Sequence, residues 1–108
     1  MEQRSFQRIP SSIKTHFYCN NTDYAGTITD ISENGMFIST DKVSFPFESE
    51  VEIFIRQKGL LIKVPVKICR LTKSHDVFDG MGVKVIHTVP DYLTFVQKKK
   101  KAYNKTVD

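Results

Sequence analysis

Between residues 12 and 87 apolar and polar side chains tend to alternate, in short runs separated by turn-forming residues. A period of two is the mark of a strand with one buried and one solvated face. The run SIKTHFYCN (residues 12–20) alternates, and YAGTITDIS (24–32) is rich in β-branched residues. GMFISTD (35–41) follows at once after Asn34-Gly35, a pair that tolerates positive φ and signals a hairpin turn between β-rich runs. EVEIFIRQ (50–57) sets Val51, Ile53 and Ile55 against Glu50, Glu52, Phe54 and Arg56. Gln57-Lys58-Gly59 turns the chain into LLIKVPVKICRLTK (60–73), where Ile62, Val64, Val66 and Ile68 share a face opposite Lys63 and Lys67. Pro65 lacks an amide hydrogen, which predicts an edge or a bulge there. HDVFDG reads as a loop and MGVKVIH (81–87) as the last strand.

The period changes after Pro90. DYLTFVQKKKKAYNK (91–105) places Asp91 in a first helical turn and lysines toward the end, matching the helix dipole. Tyr92, Phe95, Val96 and Tyr103 form an apolar stripe at helical spacing. Six strands and a terminal helix predict an all-β fold, a small six-stranded antiparallel β-barrel or sandwich with a C-terminal α-helix across one opening.

Composition narrows the class without naming a function. The chain has 108 residues, 40% hydrophobic and 26% charged, which suits one globular domain spanning 1–108. No apolar run approaches the roughly 20 residues of a membrane span. The N-terminus has no apolar secretion core, so the expected location is cytoplasmic. Of 16 basic and 12 acidic residues, five lysines and one acid follow residue 97, leaving 11 of each in residues 1–97. The net charge of +4 therefore belongs to a basic tail and argues little for a nucleic-acid-binding face. Cys19 and Cys69 belong to no ligand cluster and are expected as reduced, semi-buried strand residues. His16, His75 and His87 are scattered and read as surface or strand-end residues, so no metal is expected.

Three short motifs remain. Two of the four arginines, Arg4 and Arg8, lie in the leader MEQRSFQRIP, which has little apolar content to anchor it. A guanidinium grips phosphate or a guanine edge with paired hydrogen bonds. Asp30 and Ser32 stand two apart near the end of a strand, so they share a face, with Gly35 in the following turn. A carboxylate can accept from the N1–H and N2 amino group of guanine, and a hydroxyl can donate to phosphate. An ordinary hairpin with Asp and Ser bonded to nearby backbone explains the same segment equally well. The third motif is Gly80-Met81-Gly82-Val83.

In this order and spacing, RSFQRIP, TDISENGMFIS and GMGVKVI make the chain resemble the PilZ domain family over nearly its whole length. The resemblance implies a six-stranded barrel with a C-terminal helix that receives the bacterial second messenger cyclic di-GMP. It implies a flexible ligand-binding arm over residues 1–10, a barrel over 11–88 and a helix with basic tail over 91–105. Arg4 and Arg8 match the arginine pair that closes over the ligand, Asp30 the position that holds a guanine, Ser32 the hydroxyl beside it and Gly35 the turn glycine. Gln3 stands where many members have another arginine, a position that bears on whether one ligand or a stacked pair binds. No cofactor is expected other than the ligand. A separate protein partner, in motility, adhesion or biofilm control, would carry the output of a monomer or homodimer.

Two further readings stay open. One is a PilZ-like adaptor that binds no nucleotide. The other is a barrel binding single-stranded nucleic acid through Phe37, Phe54 or Tyr92 and the Lys98–Lys101 run, although core packing and a solvated helix end account for these residues better. No nucleophile–base pair is evident, so an enzyme is not expected.

Overall fold

A computed structural model describes residues 7–19, 21–43 and 50–106. Six strands are followed by one helix: β1 (Ile9–Cys19), β2 (Thr22–Ser32), β3 (Gly35–Val43), β4 (Glu50–Gln57), β5 (Leu60–Ser74), β6 (Val77–Val85) and α1 (Pro90–Thr106). The strands close into an antiparallel barrel in the order β1-β2-β3-β6-β5-β4. The predicted alternation is obeyed on β4 and β5, where Val51, Ile53, Ile55, Ile62, Val64, Val66 and Ile68 fill the interior. Ile28, Ile31, Met36, Ile38, Met81 and Val83 complete it from the other strands.

The closing seam between β1 and β4 is short, pairing Thr15 with Ile55, His16 with Phe54 and Phe17 with Ile53. Thr15 is buried there, and its hydroxyl donates to the Phe54 carbonyl at 2.8 Å. That bond meets the requirement that a buried polar group find a partner.

Two sequence expectations change at turns. The stretch expected as a loop over residues 75–80 is mostly strand. β5 runs to Ser74 and β6 starts at Val77, joined by His75 and Asp76, both with positive φ (53° and 70°). His and Asp tolerate that region better than most residues, so a two-residue turn suffices. Lys58 (50°) and Gly59 (81°) make the β4–β5 turn the same way. At the β2–β3 hairpin, by contrast, Glu33 and Asn34 form the turn, and Gly35 is already the first residue of β3, outside the positive-φ set.

Pro65 marks neither an edge nor a bulge against β4. The two-residue turn makes Gln57 and Leu60 a bonded pair, so rungs alternate and Glu52–Pro65 falls at a position that exchanges no backbone bonds. The missing donor faces β6 near its end, where only the Pro65 carbonyl is used, accepting from the Ile86 amide at 2.9 Å. Cys69, expected to be half-buried, is exposed beside the register shift between Ile68 and Arg70. His16, His75 and His87 are all exposed, as read from the sequence.

The helix seals the barrel with its predicted stripe. Tyr92 and Val96 are fully buried, Phe95 nearly so, and Tyr103 packs at the margin. Among the described residues no helix is long and apolar enough to cross a membrane. The Tyr92 hydroxyl donates to the Ser32 carbonyl at 2.6 Å, joining helix to barrel across 60 residues of sequence. Burial, with a smaller push from the Glu33 carboxylate, drives the Tyr92 phenol well above its ordinary range.

Removing that hydroxyl takes one hydrogen bond from a buried carbonyl. Tyr92→Phe should lower unfolding free energy by about 0.5–1.5 kcal/mol in urea titrations. The raised phenol adds a pH signature. The folded state holds this proton after the unfolded chain has begun to lose it near pH 10, so its contribution is complete below that pH and is lost progressively above it. The stability difference between wild type and Tyr92→Phe should therefore narrow as pH rises past about 10.

Candidate functional site

The site begins where β1 and β2 run side by side. Pro10 pairs with Asp30, which brings the residue two before it, Arg8, to the outer face of β2. Arg8 donates to one oxygen of Asp30, Oδ1, from Nε at 3.0 Å and from Nη2 at 2.5 Å. The side chains are 46% and 37% exposed, so water and salt screen the pair. Among the described residues, Arg8 Nη1 and Asp30 Oδ2 have no hydrogen-bond partner, leaving one donor arm and one acceptor oxygen for something else.

Gly35 lies against this pair. A Cβ built on it would stand 3.8 Å from Arg8 Nη1 and only 2.6 Å from the Val83 carbonyl. Any side chain would thus push β3 off β6, so close approach, not a left-handed turn, is what requires glycine here.

Ser32 behaves differently from Asp30. Register puts both on one face, since Asp30 pairs with Phe37 and Ser32 with Gly35. Yet Ser32 is fully buried, and its single hydroxyl proton is directed to Asn34 Oδ1 at 2.7 Å and the Gly35 carbonyl at 3.3 Å. Its carbonyl receives the Tyr92 hydroxyl. The next residue, Glu33, accepts from Lys100 Nζ at 2.6 Å, and both side chains are largely buried. The Ser32–Gly35 turn is therefore clamped from within and by the helix.

Of the five residues singled out in the sequence, the structure brings Arg8, Asp30, Ser32 and Gly35 together. Arg4 lies outside the described residues.

Other residues join the site through strand pairings that are distant in sequence. Phe37 pairs with both Asp30 and Gly82, and Gly82 pairs with Arg70. Asp30, Phe37, Gly82 and Arg70 thus form one rung across β2, β3, β6 and β5. Three strand spacings make it about 14 Å along the sheet. The Arg70 guanidinium lies 5.9 Å from the Phe37 ring centre, near the outer limit of cation–π contact. Glycine makes room for this pair. A Cβ on Gly80 would meet the Phe37 ring and Thr72 Oγ1, both at 2.8 Å, and Gly82 faces the Arg70 side chain. Lys84 and Lys67 form the adjoining exposed rung beside Gly35. The glycine motif was visible in the sequence. Its partners, Phe37 and Arg70, were not, because they follow from the order β3-β6-β5.

The leader also touches the helix. Gln7 and Asn104 exchange amide hydrogen bonds at 3.0 and 3.3 Å, 97 residues apart. Arg8 is thus flanked by a contact to α1 on one side and by β1 on the other. Among the described residues no group of His, Cys, Asp and Glu could hold a metal ion.

Comparison with known proteins agrees with this architecture. No curated protein matches the sequence. Solved structures do, at low identity. The Bacillus subtilis inhibitor of motility MotI/DgrA superposes with a TM-score of 0.75 at 12% identity, over 97% of this chain and 54% of that one. The chain therefore spans about half the length of that protein. The PilZ domain of Escherichia coli YcgR, solved with c-di-GMP, gives 0.73 at 12% identity over 99% of both chains. The K. pneumonia MrkH–c-di-GMP complex gives 0.71 at 11% identity, over 99% of this chain and 55% of that one. These likenesses concern the fold. The family model for the PilZ domain matches residues 2–94, and with the closed six-stranded barrel and its terminal helix, the chain belongs to the PilZ domain family.

Proposed function

We propose that this protein is a receptor for cyclic di-GMP, held on the outer wall of the barrel between the leader and the Asp30–Arg70 rung. The observation that carries the reading is the half-exposed Arg8–Asp30 pair, which among the described residues keeps one donor arm and one carboxylate oxygen unused beside Gly35. Structural relatives solved with c-di-GMP support the choice of ligand.

Each group has a role that its chemistry allows. The Asp30 carboxylate accepts from the N1–H and N2 amino group of guanine. Arg8 turns its fork to a guanine edge or a phosphate. An exposed ion pair is worth only about 0–1 kcal/mol, so exchanging it for ligand contacts costs little. Arg70 and Phe37 offer a flat, cationic surface on which a base stacks. Ser32 shapes the turn, and it would donate to a phosphate only by releasing Asn34. Arg4 is the second arginine of the proposed arm. Closure of the leader would act on a separate protein partner, as a change of population between two surfaces. Helix α1 is suited to sense closure, because Lys100 holds the turn and Asn104 holds Gln7.

Titration calorimetry with cyclic di-GMP, against GTP and cyclic di-AMP, tests the reading directly. Arg8→Ala should weaken binding by roughly 10- to 150-fold, the worth of a charge-assisted hydrogen bond of about 1.5–3 kcal/mol, with an unchanged circular dichroism spectrum. Asp30→Ala should reduce the preference for guanine over adenine, not merely the affinity for anions. A wild-type protein that binds none of the three nucleotides would leave the nucleotide-free adaptor as the better reading. Hydrogen exchange provides a check on transmission. Ligand should increase protection of Arg8–Ile13 and of Glu33–Gly35 in the wild type. In Lys100→Ala the added protection should no longer extend to the end of α1.

A further inference from the structure

A second surface lies on the side of α1 away from the turn. A groove of about 300 Å³ runs between the helix and the β4–β5 hairpin. Its floor is apolar, made by Leu60, Ile62, Phe95 and Ala102. Leu60 is 49% exposed, a large aliphatic side chain left in water at the tip of a hairpin. Ile62 and Phe95 are almost fully covered and line the groove.

The rim is cationic. Lys58 stands on the hairpin, and Lys98 and Lys99 on the helix, with Asp91 the one acid among the lining residues. Lys99 leans over Phe95, 5.4 Å from its ring centre. Lys101 and Lys105 extend the positive charge along the exposed helix. Among the described residues the only lysine of α1 with an acidic partner is Lys100, which faces Glu33 on the other edge.

From this charge pattern we propose that the groove docks an acidic amphipathic segment of a partner protein, its apolar side chains over Leu60 and Phe95 and its carboxylates against Lys58, Lys98 and Lys99. Helix-in-groove recognition uses this combination of an apolar trough and charged edges. Exposed apolar surface rimmed by polar groups marks such sites. The volume suits one or two apolar anchors of a peptide. A lipid surface fits less well, because Ile62 and Phe95 are recessed and Leu60 is the one large apolar side chain of the lining that is exposed. Nucleic acid fits less well too, since the floor is mainly aliphatic and Lys99 covers the one aromatic ring. The proposal is independent of the ligand reading, for none of these residues belongs to the Arg8–Asp30 site.

The probe is a synthetic Glu-rich peptide with leucines at helical i, i+3, i+4, i+7 spacing, compared with the same peptide carrying Lys for Glu. Fluorescence anisotropy should show salt-sensitive binding of the acidic peptide alone. Amide shifts in a 1H–15N spectrum should map to Gln57–Ile62 and to the Asp91–Ala102 edge of α1. The double variant Lys98→Glu/Lys99→Glu should lose at least about tenfold in affinity, the scale of an interfacial charge reversal. Leu60→Asp, at an exposed position, should abolish binding with the fold intact by circular dichroism. Equal binding of both peptides, or shifts confined to the other barrel wall, would overturn the proposal. So would binding of anionic vesicles or an oligonucleotide through Lys98 and Lys99 while the acidic peptide fails to bind.

Discussion

The hydrogen bond from the Tyr92 hydroxyl to the Ser32 carbonyl is the constraint on which the rest of the molecule is arranged. A phenol can enter a core only if its polar end finds an acceptor. Tyr92 finds one at the end of β2, in the Ser32 carbonyl beside the β2–β3 turn. Satisfying both groups at once fixes the helix over the barrel and fixes the turn beneath the helix. Val96 and Phe95 then bury themselves one turn later, and Lys100, two turns from Tyr92, arrives at Glu33. A single buried bond thus sets the register of α1 against the D-x-S-x-x-G segment.

That arrangement separates stiff from soft within a few residues. Ser32 and Gly35 are buried, their polar groups are spent, and β6 sits too close to Gly35 to allow rearrangement. Asp30 and Arg8, immediately outside, are half-exposed and bonded through one carboxylate oxygen. Under the proposed reading, a rigid seat with a weakly held cation above it would lose little entropy on binding an anion, and the cation would exchange one partner for another at small cost. The same contrast explains why Ser32, though on the face of Asp30, reads first as an architect of the turn.

The sequence disclosed what depends on neighbours in the chain and concealed what depends on neighbours in the sheet. Alternation exposed the inward faces of β4 and β5, and helical spacing exposed Tyr92, Phe95 and Val96. Pro65 misled because its cost depends on which rung it occupies, and only the length of the Lys58-Gly59 turn fixes that. Asn34-Gly35 reads as a positive-φ step, the usual reason for Asn-Gly, whereas the close neighbour of Gly35 is a carbonyl of β6, nearly 50 residues on. His75 and Asp76 carry no strong turn signature, so the start of β6 was missed by four residues. The motif residues Arg8, Asp30 and Gly35 were legible as types in order. Phe37 and Arg70 joined them only when the order β3-β6-β5 was known, since no local pattern pairs residue 37 with 82 or 82 with 70.

Helix α1 places two chemistries back to back. Tyr92, Val96, Lys100 and Asn104 recur at intervals of four and meet the turn and the leader. Asp91, Phe95, Lys98 and Ala102 recur at intervals of three or four and line the groove. Both stripes follow from 3.6 residues per turn, and a helix one cylinder wide cannot keep them far apart. Phe95 and Val96, adjacent in sequence, are the point where they touch through the barrel core. A shift of the helix that improved contact with the leader would have to alter the gap between Phe95 and Leu60, because packed side chains transmit displacement instead of absorbing it. In so small a fold, the leader beside the Arg8–Asp30 pair and the lysine-rimmed groove both border the same helix.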